Sequence, residues 1–133
     1  MKNRKNILII GLLAIISAIG FGWYMYHKPV ESLENKTPDI KMKASELVIA
    51  FETDEQSANQ KYLDKILEIT GVIDKVQNNN IYIKTENPLS SVICEMSGEH
   101  QLSEIKPEEN ITIKGLCTGY LLDVVLVRCT IIK

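Results

Sequence analysis

Residues 7 to 26, ILIIGLLAIISAIGFGWYMY, run for 20 positions without a formal charge. At ~1.5 Å of rise per residue, a helix of that length matches a hydrocarbon core of roughly 30 Å. The run is apolar on every face, which argues against a core helix of a soluble domain. Lys2, Arg4 and Lys5 precede it, and Trp23, Tyr24 and Tyr26 stand at its far end. Basic residues stay on the cytoplasmic side and aromatic rings settle at the interface. The expected topology is a single pass through the cytoplasmic membrane, with residues 1–6 inside and everything after residue 26 outside. A cleaved signal peptide is the competing reading. Its apolar region usually spans about 7–15 residues before a small-residue cleavage site. This run is longer, ends in bulky rings, and has neither an Ala-x-Ala nor a nearby cysteine for lipid attachment. Either reading exports the remainder.

Residues 27–43, HKPVESLENKTPDIKMK, carry two prolines, mixed charge and little apolar periodicity, and read as a tether. Residues 41–133 hold 10 Lys/Arg against 14 Asp/Glu, a net charge of −4. An acidic exported domain is a poor match for a phosphate-binding surface, so nucleic acid is a disfavoured partner.

Residues 44–65 read as a helical segment, with Ala44, Leu47, Phe51, Ala58 and Tyr62 near one face. Thr53 followed by Gln56 resembles a capping box, which predicts a break and restart at Thr53. From Ile66 the apolar period drops from 3.6 to 2. Strands are predicted over 66–76, 80–84, 91–96, 110–118 and 123–133, with one helical turn around Leu102 to Ile105. Gly71, inside the first strand, suits a bend or bulge where a barrel closes. Five short strands with a longer link between the third and fourth predict a small Greek-key barrel of the OB-fold kind. An open five-stranded sheet packed on the helix is the alternative.

No nucleophile elbow, P-loop, dinucleotide fingerprint or paired metal ligands occur. His27 lies in the tether and His100 in a polar loop, and no C-x-x-C is present. No enzyme activity, metal or cofactor is expected. Cys94, Cys117 and Cys129 all lie in apolar strand contexts, which suits structural rather than catalytic thiols.

Several features resemble the tRNA_anti-like family of bacterial OB-folds. They are the Leu47–Phe51 helix, Ala58-Asn59 leading into Lys61-Tyr62, Glu68-x-Thr70-Gly71, Gly115-x-Cys117, and Asp123-Val124-Val125-Leu126 leading to Cys129. The likeness covers nearly all of residues 44–133. Family members are typically small exported domains, membrane-anchored or lipoprotein. The resemblance implies the barrel order 1-2-3-5-4 and back to 1, which sets the fifth strand beside the third.

An OB-fold binds on the face of strands 2 and 3 and on the loops joining strands 1–2 and 4–5. On this chain that surface would carry Lys75, Gln77, Asn78, Asn79, Tyr82, Lys84 and Tyr120. Lys75, Tyr82, Lys84 and Tyr120 are the candidate ligand contacts, with Tyr82 as a stacking face and the lysines facing an anion. Against this, Tyr and Lys on a polar strand face and Asn in turns are ordinary. The function expected is a non-enzymatic binding module held to the membrane by residues 7–26. Its partner would be an envelope protein or glycan, with a nucleic-acid-binding OB-fold as the alternative.

The implied order also bears on the cysteines. With a turn near residues 119–122, Cys117 faces about position 124, which leaves Cys129 ~17 Å away at ~3.4 Å per residue. A disulfide needs Cα atoms within about 7 Å. Cys94 shares an apolar face with Val92 and Met96, and Cys129 one with Val125, Val127 and Ile131. A Cys94–Cys129 disulfide is the expectation, with three reduced core thiols or another pairing as the alternatives.

Overall fold

The computed structural model describes residues 2–28, 32–98 and 102–132. It divides into two compact units, one up to residue 31 and one from Ser32 onward.

The first unit is helix α1, Lys2–Tyr26, with no buried residue. Its most apolar stretch has a mean hydropathy of 2.3, long and apolar enough to cross a membrane by length and composition. At its end Trp23 Nε1 donates to His27 Nε2 at 3.0 Å. The Tyr26 and His27 rings meet edge-on at 5.4 Å.

The second unit begins inside the segment read as a tether. Leu33 is buried there. Asp39 accepts from the Ile66 amide at 2.9 Å through Oδ2. Strand β1, Ile40–Lys43, then pairs in parallel with the start of strand β2, Ile66–Gln77. Ile40 and Met42 turn inward and Lys41 and Lys43 outward, the two-residue alternation of a half-buried strand.

Helix α2 covers Ala44–Thr53 and helix α3 covers Glu55–Tyr62. Ala44, Leu47, Phe51, Ala58 and Tyr62 are all buried, as the helical spacing predicts, and Val48 joins them. The break falls one residue later than the Thr53–Gln56 pattern predicts. Asp54 is the cap, accepting from Ser57 N at 3.1 Å and Ser57 Oγ at 2.7 Å. An ionised carboxylate satisfies the orphan amides better than a hydroxyl.

The remaining strands are β3, Asn80–Ile83; β4, Val92–Met96; β5, Asn110–Tyr120; and β6, Val124–Ile132. A 3₁₀ turn at Leu102–Glu104 lies in the link between β4 and β5. The sheet order is β1-β2-β3-β4-β6-β5, and β2 pairs again with β5. Strands β2 to β6 therefore close a five-stranded OB-fold barrel in the order that the resemblance implies. Strand β1 lies outside the ring, and β4 and β6 run parallel.

The first half of β2 pairs with β5 and its second half with β3, across a bulge between Ile73 and Lys75. Gly71 is not the bulge. A Cβ there would collide with Ile83 Cγ2 and stand 3.2 Å from Ala44 Cβ. The glycine lets two core side chains approach the backbone.

Two registers differ from the sequence reading. Cys117 pairs with Leu126 rather than with position 124, because the turn lies at residues 121–123. In β6, Val124 and Leu126 point inward, while Val125 and Val127 are half-buried on the outside. Arg128 takes a left-handed backbone, φ 53°, and this irregularity turns Cys129 inward with them.

Candidate functional site

The ladder pairs Lys75 with Tyr82, Tyr82 with Ile93, Ile93 with Val125, and Val125 with Gly119. One row thus crosses all five barrel strands on the outer surface. Its three central members alternate with buried neighbours: Ile81 and Ile83 flank Tyr82, Val92 and Cys94 flank Ile93, Val124 and Leu126 flank Val125. Core packing therefore forces Tyr82, Ile93 and Val125 outward, where each is half-buried among its neighbours.

Lys75 Nζ lies 4.5 Å from the Tyr82 ring centroid, within cation–π range. Glu95 faces the same surface, opposite Asn80. An open cleft of about 350 Å³ carries the row onto the β5–β6 hairpin, lined by Thr118, Gly119, Tyr120, Leu121 and Val125. The hairpin tip exposes Leu121 at 92% and Leu122 at 72%, a large apolar area for a solvated turn. Asp123 Oδ1 accepts from Ser91 N at 2.7 Å and Ser91 Oγ at 2.8 Å, so the hairpin base is fastened to the β3–β4 loop.

Of the four candidate contacts, Lys75 and Tyr82 come together. Lys84 lies just past the end of β3, beyond the inward Ile83, and is paired with Glu108. The Glu108 hydrogen bond, chiefly, holds its ammonium above the ordinary lysine range. It lines a separate polar cleft of about 300 Å³ with Asp74, Thr85, Asn87, Pro88, Ser90 and Ser91. Tyr120 sits opposite the buried Val124, and its ring stacks on Phe51 at 5.3 Å, so it meets the row only at the rim of the hairpin cleft.

The asparagines serve the fold. Asn78 takes the left-handed turn position at φ 55°, and Asn79 Nδ2 donates to Met96 O at 2.6 Å. Ile93 and Val125 were missed in the sequence because each lies in an unbroken apolar run, VIC and VVLV. Such a run hides which parity is inside, yet it is also the signal of a strand with apolar residues on both faces.

Cys94, Cys117 and Cys129 are free and buried in this structure. Burial pushes the Cys117 thiol up to about 11. A hydrogen bond with Cys94, with burial added, drives the Cys129 thiol far above its ordinary range. Both shifts favour the protonated thiol, the less nucleophilic form. Among the described residues no three His, Cys, Asp or Glu groups gather to hold a metal.

Over residues 1–131 the sequence matches the model of the tRNA_anti-like family. Among solved structures, the chain resembles a lipoprotein of Klebsiella pneumoniae subsp. pneumoniae MGH 78578 whose description proposes nucleic-acid binding. That likeness has a TM-score of 0.54 at 15% identity and covers 70% of this chain and 92% of that one. Replication protein A of U. maydis, bound to single-stranded DNA, aligns at a TM-score of 0.46 and 15% identity, over 74% of this chain and 76% of that one. The telomere capping protein Ten1 of Saccharomyces pombe aligns at 0.44 and 14%, over 68% and 78%. No curated protein matches the chain.

Proposed function

The chain belongs to the tRNA_anti-like family, and on that premise we propose that it is a non-enzymatic binding module anchored in the cytoplasmic membrane by residues 7–26. The barrel lies on the outer side and takes a partner on the outer face of β3 and β4. The half-buried row of Tyr82, Ile93 and Val125 supports this reading most directly. Apolar side chains on a solvent-facing sheet are a standing desolvation cost unless something covers them.

The chemistry of the face favours a protein segment or a glycan of the envelope. An aromatic ring flanked by aliphatic groups suits the apolar face of a sugar or a peptide side chain. Single-stranded nucleic acid is the second reading, favoured by Lys75 poised over the Tyr82 ring. It is opposed by the acidic balance of residues 41–133 and by the pairing of Lys84 with Glu108.

Two measurements test the proposal on the full chain in its envelope. A Glu34→Cys variant should be labelled by a membrane-impermeant maleimide in intact cells, and labelling only after lysis overturns the topology. A photo-crosslinking phenylalanine replacing Tyr82 should form an adduct with an envelope protein or glycan, whereas the same group replacing Glu55 should not. Equal adducts at both positions, or none at Tyr82, overturn the face. An adduct formed only with added single-stranded DNA selects the second reading.

A further inference from the structure

Cys94 and Cys129 belong to directly neighbouring strands, β4 and β6. Three local features bring their thiols together. The β4–β6 register shifts between Cys94, opposite Leu126, and Met96, opposite Cys129. Arg128, at φ 53°, reverses the parity that would otherwise send Cys129 outward after Leu126. Gly115 on β5 leaves room for the sulfur: a Cβ at that position would lie 2.5 Å from Cys129 Sγ and 3.1 Å from Leu126 Cβ. Both side chains point into the barrel interior at 0% exposure, and Cys129 sits opposite Met96, two residues along β4 from Cys94. Cys117 lies on β5, across β6 from Cys94, since both pair with Leu126 from opposite sides.

We propose that Cys94 and Cys129 form a disulfide site in the exported barrel, closed by exchange with the disulfide of an envelope thiol–disulfide oxidoreductase. The proposal rests on the export reading above. One thiolate of the pair attacks the oxidoreductase disulfide and displaces one of its sulfurs as thiolate. The second cysteine, deprotonated, attacks the mixed disulfide, forming the Cys94 Sγ–Cys129 Sγ bond and releasing the other oxidoreductase sulfur. Two electrons and two protons pass to the oxidoreductase, which leaves as a dithiol. Both thiols are fully buried in the closed barrel. Exchange therefore occurs before the barrel closes, and the folded reduced protein resists oxidation. The resulting bridge ties the parallel β4–β6 pair, and Cys117 stays a thiol.

The test is peptide mapping of the full chain, with free thiols alkylated under denaturing, non-reducing conditions. One sample comes directly from the envelope, and a second is refolded from the reduced, unfolded state with oxidised glutathione. The expected result in both is one alkylated cysteine, Cys117, and a Cys94–Cys129 linked peptide two hydrogens lighter than its parts. Three alkylated cysteines in both samples, or a bridge that includes Cys117, overturn the pairing and leave the export reading untouched. A bridge in the refolded sample with three free thiols in the envelope sample overturns the proposal through the export reading, because the geometry then permits what the compartment does not supply.

Discussion

The rings of Phe51 and Tyr120 stack at 5.3 Å with 25° between their planes, joining α2 to the last residue of β5. Tyr62 from α3 adds a third ring, 6.0 Å from Phe51. The helical pair thus closes the barrel where the hairpin leaves it. Truncating Phe51 to alanine should destabilise the fold by about 3–5 kcal/mol, read as a drop in denaturant midpoint at constant slope. Tyr120→Phe keeps the stack and should change stability little.

The close contact between Gly71 and Ile83 makes a second prediction. Gly71→Ala should cost about 1–3 kcal/mol by overpacking. The same substitution in an Ile83→Ala background should cost less, because the side chain that it strikes is gone. Equal penalties in both backgrounds would remove this explanation of the glycine.

Lys114 is buried at 6% exposure, and its ammonium donates to Glu34 O at 2.8 Å and Lys36 O at 2.7 Å. It fastens the start of the second unit to β5. Lys114→Ala should cost about 2 kcal/mol, the scale of a charge-assisted hydrogen bond. It should also raise hydrogen exchange and proteolysis over residues 32–39 while β2 to β6 stay protected.

The Cys117 thiol predicts an alkaline limit. The barrel holds its proton up to about 11, against an ordinary 9.0, so the folded state binds the proton more tightly than the unfolded chain. Its contribution to stability is complete below pH 9 and is lost as pH rises through 11. The stability difference between wild type and Cys117→Ala should therefore shrink across that window. A difference that stays constant from pH 7 to 11 would contradict this account.

Much of the fold was legible along the chain. The charge-free run reads as helix by its length and unbroken apolarity, and the helical face from Ala44 to Tyr62 and the five strands are local patterns of period 3.6 and 2. The outward turn of Tyr82 was legible as well, because its neighbours Ile81 and Ile83 are unmistakably apolar.

Other features were settled by tertiary structure. IKMK alternates like a strand, but four residues gain strand structure only when β2 offers an edge to pair with. The pairing of Lys84 with Glu108 joins residues 24 apart, brought together when the chain folds back after β4. The inward turn of Cys129, on the same side as Val124 and Leu126, depends on a left-handed arginine, and nothing in the composition of VVLVRC marks it. Sequence alone determined the three helices and the five barrel strands, because these follow from side-chain patterns within a few residues, whereas β1 needed its partner. Which side of β6 faces the core, and so which residues form the surface row and which thiols meet, was decided by barrel closure. A one-residue shift in register exchanges the two faces of a strand, and only the long-range pairing of β4, β6 and β5 selects between them.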